Sequence, residues 1–285
     1  MIFDFHVHMG QYFDDYYTPP RILRTLRLAG ITHFAYSSTS TVVTDDPDFL
    51  LEERVAMHEL SEGRAKPILW VTHDMLKRSP NLSLYMNDAG GKICGLKIHG
   101  VSESWLPNGR ELQRIFKIAQ ERGLFVKLHT GERENCEAGM YQEICTRFPD
   151  VRVVLAHGRP IGQAINVLRN CSNAFIDTSF MPHGHFQQLM AVARQESFTD
   201  RILFGSDTPI PRRHLKSSLP RHLRSRVEQT KRIAGRDWHN ISWKNAQNLL
   251  TFASKQAISI GEYGFPHEKF SGDFFCHPAA YGLRA

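Results

Sequence analysis

The sequence predicts an α/β protein, a single-domain (β/α)8 TIM barrel with an irregular C-terminal extension. Two observations carry this. Eight short apolar, β-branched runs recur along the 285 residues. Between them lie segments with helical periodicity. Strand–helix units in series build a parallel sheet covered by helices, and eight of them are the number that closes a barrel. Strand–helix alternation alone also fits an open doubly wound sheet.

The strand runs are IFDFHVH (2–8), ITHFAYSS (31–38), KPILWVT (66–72), CGLKIHG (94–100), LFVKLHT (124–130), VRVVLAH (151–157), NAFIDTSF (173–180) and RILFGSD (201–207). Helices are expected at PPRILRTLRLAG, where Pro opens the first turn and Gly follows the last, and at PDFLLEERVAMHELSEG, with apolar spacing i, i+3, i+4. The same pattern runs through NGRELQRIFKIAQERG, AGMYQEICTRFPD, RPIGQAINVLRN and HFQQLMAVARQES. The weakest helical pattern covers 80–90. A last helix is expected near 242–254. The barrel is assigned to 1–260. The tail, 261–285, is rich in Gly, Pro and aromatics and is expected to pack on the barrel as irregular chain.

With 41% hydrophobic and 22% charged residues, the composition is that of an ordinary globular protein. No apolar run approaches the ~20 residues that span a bilayer, so no membrane partner is expected. No basic-then-apolar leader opens the chain. The five cysteines are scattered without a CxxC pair, which suggests free thiols and a cytoplasmic protein. A homodimer is compatible with the composition. The net charge of +6 is local: residues 211–236 hold nine Arg or Lys and one Glu. That segment suits a solvated helix-loop or a collar that steers an anionic substrate through Arg212 and Arg213. A nucleic-acid surface or a nuclease role is the alternative of a different class. The absence of aromatic residues from 211–236 counts against base stacking.

The polar residues fall at strand ends. His6 and His8 alternate on the first strand, so both are expected on one face, with Phe5 and Val7 on the other. Two such imidazoles can grip one metal ion. Lys97 and His99 end the fourth strand, His129 the fifth, His157 the sixth and Asp207 the eighth. Any one of these could be a hydrogen-bonded pocket residue. Together they mark the C-terminal rim, where barrels of this kind carry their chemistry.

In this order, HVH, the strand-4 Lys, LHTG, AHG and GSD resemble the amidohydrolase superfamily. GLKIHG, HTG and GSDTPI resemble most its amidohydrolase-2 branch of metal-dependent hydrolases. The resemblance covers about residues 1–210 and leaves out the basic segment and the tail. It implies that His6, His8, His129 and Asp207 are metal ligands. Such a set suits catalytic Zn, with Mn, Fe and Co also open. It implies that Asp207 exchanges a proton with the attacking water and the leaving group, and that His157 is a second-metal ligand or polarises the substrate carbonyl. Lys97 is either a CO2-modified bridge between two ions or an unmodified lysine, so one or two ions per chain are expected. His99, Arg159 and Asp177 are candidate contacts for a small carboxylate-bearing substrate. Ser179 shares the face of Asp177, and Glu132 could orient a ligand. The implied reaction is hydrolysis of an ester, lactone or amide. Metal-dependent decarboxylation or hydration, known in the same branch, is the alternative.

Overall fold

The computed structural model describes residues 1–131, 135–211 and 218–251. The expectations for Glu132, Arg212, Arg213, Cys276 and the tail fall outside the described residues. The fold is mixed α/β, built on a curled nine-stranded sheet of order β2-β1-β3-β4-β5-β6-β7-β8-β9. Its strands are β1 (Phe3–Tyr12), β2 (Asp15–Tyr17), β3 (His33–Ser38), β4 (Ala65–Trp70), β5 (Gly95–Ile98), β6 (Phe125–His129), β7 (Val153–Ala156), β8 (Ala174–Asp177) and β9 (Ile202–Leu203). Each of the eight expected runs holds one of these strands. The short β2 is additional: it folds back on β1 in antiparallel pairing, Gly10 opposite Tyr17. Every other pairing is parallel. The chain after β9 returns to β1. Phe5 N donates to the Phe204 carbonyl at 2.8 Å, Asp207 N to His6 at 2.8 Å and His8 N to Thr208 at 2.7 Å.

The helices are α1 (Pro19–Leu28), α2 (Pro47–Leu60), α3 (His73–Arg78), α4 (Gly100–Glu103), α5 (Arg110–Arg122), α6 (Gln142–Arg147), α7 (Ile161–Asn170), α8 (His183–Gln195) and α9 (Leu219–Ala234). Their faces follow from the sequence. In α5, Leu112, Ile115, Phe116 and Ala119 are buried at helical spacing; a large apolar side chain buried this way contributes roughly 1.5–3 kcal/mol. Gly123 ends α5 in the left-handed conformation, φ 63°, which a glycine adopts without steric cost. The basic segment contains α9, whose Leu223, Val227, Thr230 and Ala234 form a buried stripe. Its charges lie on the remaining face of an ordinary amphipathic helix.

Three local expectations are corrected. Residues 80–90 hold two short 3-10 turns, Ser83–Tyr85 and Asp88–Gly90, because Leu82 turns left-handed and Asn87 caps a new turn. The 138–150 segment opens as a 3-10 turn, Ala138–Tyr141, before α6. The helix expected near 242 is present to 251, with a π turn at Asn240–Lys244 inside it and helical residues already at 238–239.

A fourth correction bears on the site. Phe5 does not lie opposite His6. The pairing of β1 with β3 shifts register between Asp4 and Val7, a bulge that places two residues against one. Below it Phe3 and Phe5 point into the sheet's concave core, where Phe5 meets Phe125 with ring centroids 5.3 Å apart. Above it His6 and His8 point inward instead. The bulge thus changes the inward face of β1 from aromatic to imidazole. The concave side is layered accordingly. Phe5, Ile68, Phe125, Val154 and Leu203 form an apolar floor, and Lys97, Lys127 and Asp177 lie buried above it. Four cysteines, Cys94, Cys136, Cys145 and Cys171, are free thiols.

Candidate metal centre and its cavity

Three donor atoms converge at the top of the sheet. His6 Nε2 and His8 Nε2 are 3.2 Å apart, and Asp207 Oδ1 is 3.0 Å from the first and 3.1 Å from the second. Ligands ~2.0–2.1 Å from a tetrahedral ion lie about 3.3 Å from each other, close to these separations. The far sides of both imidazoles are occupied. His6 Nδ1 lies 2.8 Å from Asp177 Oδ2, and an ionised carboxylate only accepts, so Nδ1 carries the proton and Nε2 presents a lone pair. His8 Nδ1 lies 3.1 Å from Ser37 Oγ. The residues present therefore fit a divalent cation in ligand type, spacing and outer support.

Backbone geometry aims these groups. Asp207 and His157 sit at strand ends with φ 62° and φ 70°, a region that costs a non-glycine residue on the order of 1–3 kcal/mol. Hydrogen bonds hold both: Asp207 N donates to the His6 carbonyl, and His157 N donates to Asp177 Oδ1 at 3.1 Å. Gly205 lies between His6 and Asp177. A Cβ there would meet the Cβ of His6 at 3.0 Å and that of Asp177 at 3.3 Å, so the missing side chain is what lets β1, β8 and β9 approach.

Asp177 was expected at the substrate. It is instead fully buried beneath the centre and is absent from the cavity lining. It accepts from His6, from the backbone of His157 and Ser179, from the Ser179 hydroxyl, and from Lys127 Nζ at 3.2 Å. Lys127 also donates to the Phe5 carbonyl at 2.7 Å. A second group of three donors, His6, His157 and Asp177, also lies within 4.8 Å. Its atoms are joined by hydrogen bonds through Ser179, so it is a supporting network. Lys127 escaped the sequence reading. Its signal was a charged residue in mid-strand, two places before His129 and thus on the same face.

Lys97 Nζ lies 3.1 Å from His6 Nε2 and 3.2 Å from His8 Nε2, over the Trp70 ring at 4.8 Å. Burial, together with the Lys127 charge, pulls its pKa down to about 7. His129 stands apart from the converging donors. Its ring stacks on His99 at 3.9 Å and meets His157 edge-on at 4.9 Å; its Nδ1 is buried without a hydrogen-bond partner among the described residues. His157 Nδ1 lies 3.2 Å from the Ser179 carbonyl, which leaves Nε2 as the acceptor. His99 has the opposite tautomer: Nδ1 accepts from Ser102 N at 3.2 Å, so Nε2 bears the hydrogen.

Burial keeps the imidazoles of His8, His99, His129 and His157 neutral. It lowers His8 and His129 well below the usual range, His157 to about 4 and His99 to about 3. Burial works to raise Asp207, but its close contacts with the His6 and His8 imidazoles outweigh it and hold the carboxyl well below its usual range. Neutral imidazoles beside an ionised carboxylate are the protonation states that metal binding requires.

The centre opens into a cavity of about 290 Å³ whose lining includes His8, Trp70, Lys97, His99, His129, His157, Arg159, Phe180 and Asp207. Of the expected substrate contacts, His99 and Arg159 line it. Arg159 Nη2 is anchored on the Phe180 carbonyl.

A family model described as amidohydrolase matches residues 4–252. The chain belongs to the amidohydrolase family. This amidohydrolase is accordingly a metal-dependent hydrolase. Among curated protein sequences none matches it. Solved structures share its fold. One is a probable 2-pyrone-4,6-dicarboxylic acid hydrolase from Acinetobacter baumannii with citric acid bound, at 16% identity and TM-score 0.62, covering 88% of this chain and 99% of that one. Another is an amidohydrolase from Burkholderia multivorans with bound zinc, at 16% identity and TM-score 0.63, over 88% and 99%. A TIM-barrel protein from Bordetella bronchiseptica matches at 16% identity and TM-score 0.63, over 89% and 99%. At such identities the likeness speaks for the fold alone. No helix among the described residues is long and apolar enough to cross a membrane.

Proposed function

We propose that this amidohydrolase holds a divalent metal, zinc by preference, on His6, His8 and Asp207, and hydrolyses an ester, lactone or amide bond in a small carboxylate-bearing substrate. The observation that carries the proposal is the convergence of three metal-type donors, 3.0–3.2 Å apart, beside a cavity whose lining also holds Lys97, Arg159, His99, His129 and His157. We propose with it that the hydrogen bonds from the chain after β9 back to β1 close the curled sheet as a complete (β/α)8 barrel.

His6, His8 and Asp207 would hold the ion, whose contribution would be to lower the pKa of a water in the site toward ~7. The remaining work belongs to the chain. Asp207, ionised and at the centre, accepts a proton from the attacking water and returns it to the leaving group. His99 Nε2–H is the neutral donor that faces a substrate carbonyl, a role its fixed tautomer suits better than that of His157. His157 Nε2 accepts, as a further ligand or as a partner for a substrate hydroxyl. Arg159 holds the substrate carboxylate. Lys97 is an unmodified substrate contact, and one ion is bound.

The test is a chelated and remetallated preparation offered lactones, esters and amides with and without a carboxylate. Turnover that returns with zinc and requires the carboxylate is the expected result. Full turnover in the chelated protein, or indifference to the carboxylate, would overturn the proposal.

A further inference from the structure

At their C-terminal ends β1 and β3 are stitched together by side chains as well as by their ladder. Thr39 Oγ1 donates to the Met9 carbonyl at 2.8 Å, Gln11 N donates to Ser40 Oγ at 2.9 Å, and Ser37 Oγ lies 3.1 Å from His8 Nδ1. Gly10, with φ 89°, sits in the middle of this seam. An added Cβ there would run into the hydroxyls of Ser40 and Ser38, so the seam closes only around a glycine. Two of its residues, Tyr12 and Thr39, line the active-site cavity.

One carboxylate holds the seam from behind. The buried face of α2 carries Leu50, Glu53, Arg54 and Met57, and Glu53, only 5% exposed, stands where packing alone calls for an apolar side chain. Tyr16 Oη donates to Glu53 Oε1 at 2.7 Å, Ser40 Oγ to the same oxygen at 2.8 Å and Ser38 Oγ to Oε2 at 2.6 Å. Three O–H donors on two oxygens are what an acceptor-only carboxylate takes, and such bonds are roughly twice as strong as neutral ones. They fix the direction of each hydroxyl. With its hydrogen on Glu53, Ser40 Oγ accepts from Gln11 N, and Ser38 Oγ accepts from Ser40 N at 3.1 Å. Tyr16 belongs to β2, so one side chain of α2 ties together the β1–β2 hairpin and the end of β3. Arg159 follows β7, four strands along the sheet from β3, which is half the circuit of the barrel proposed above. In that barrel Arg159 and the Tyr12–Thr39 wall stand on opposite sides of the cavity.

We propose that Glu53 is a positioning residue for substrate length: by holding the Tyr12–Thr39 wall at a fixed distance from Arg159, it sets how long a carboxylate-bearing substrate the cavity accepts. This rests on the assignment of Arg159 above.

Calorimetric titration of the zinc-loaded chain with acetate, butyrate, hexanoate and octanoate tests it, together with amide hydrogen exchange. In the wild type affinity should rise about fourfold per methylene and stop rising at one chain length, where the acid meets the wall. Glu53→Gln keeps the shape but replaces one accepting oxygen by a donor. It should move that limit to a longer acid at unchanged zinc content, and speed exchange in residues 9–12 and 37–41 about tenfold, as the loss of a bond to a charged group implies. Tyr12→Ala should move the limit as well, and Glu53→Gln added to it should move it no further. Tyr16→Phe removes one of the three bonds and should give a smaller shift in the same direction; it carries the test if Glu53→Gln does not fold. A limit and an exchange pattern that stay as in the wild type would overturn the role of Glu53. So would a general loss of acid and zinc binding with the limit unmoved, the mark of a merely structural residue. Acid binding that ignores Arg159→Gln would instead overturn the assignment of Arg159.

Discussion

His6 Nδ1 and Asp177 Oδ2 are 2.8 Å apart, both fully buried, with the Lys127 ammonium 3.2 Å from the same carboxylate oxygen. This pair fixes which nitrogen of His6 carries the proton and therefore which one faces the centre. Outer partners of this type are worth about 10- to 100-fold in metal affinity. Asp177→Asn keeps the shape and removes the charge. Chelator competition should show a loss of zinc affinity of that size in a chain whose circular dichroism is unchanged. Wild-type affinity would mean that His6 is oriented by its packing alone.

Lys127 supplies the opposing charge. Removing one partner of a buried ion pair costs about 3–5 kcal/mol, because the other is left uncompensated. Lys127→Met should therefore lower stability by that order in a denaturant titration. Lys127→Met combined with Asp177→Asn should lose clearly less than the two single changes together. Strict additivity would show that the two side chains do not act as a pair.

How much of this was legible in the sequence depended on which forces fix each feature. Strand existence followed from apolar runs, and all eight runs contain strands. The rim position of His6, Lys97, His129, His157 and Asp207 followed from their place at the ends of those runs. Which way a side chain turns was less legible. The bulge at Phe5–His6 overrides simple alternation, and no sequence period announces it. The left-handed turns at His157 and Asp207 are imposed by hydrogen bonds to Asp177 and His6, residues distant in sequence. For the same reason Asp177 read as a substrate contact: alternation puts it on the inner face but does not say at what depth. The pairing of Lys97 with Lys127 in register could not be seen before the strands were aligned.

Asp207→Asn separates ligation from proton transfer. The amide retains one oxygen that can face the ion but cannot accept the water's proton. Zinc should remain bound in part, while turnover falls by ~10²–10⁴, the usual worth of acid–base catalysis. Elemental analysis and single-turnover kinetics on one preparation give both quantities. Turnover near wild type would place the proton on another group.

Lys97 tests the number of ions. Its amine lies 3.1 and 3.2 Å from the two nitrogens assigned to the metal, so as an unmodified lysine it contacts the centre without bridging a second ion. Lys97→Met should then keep one equivalent of zinc and chiefly raise KM for a carboxylate substrate. Two equivalents in the wild type, falling in Lys97→Met and recovered with an added short carboxylic acid, would identify a carboxylated bridging lysine instead.

Gly205 offers the most direct link between packing and the centre. An added Cβ would press on the Cβ of His6 at 3.0 Å and on that of Asp177 at 3.3 Å, neither the far end of a flexible side chain. Overpacking of this kind costs about 1–3 kcal/mol. The two atoms it displaces belong to a metal-facing imidazole and to the carboxylate that orients it. Gly205→Ala should therefore lower thermal stability of the metal-free chain and weaken zinc binding together, with a smaller loss of stability once zinc is bound in excess. A variant that loses stability by that amount yet binds zinc as tightly as the wild type would show that the strain is absorbed elsewhere and that the spacing of β1, β8 and β9 does not set the centre.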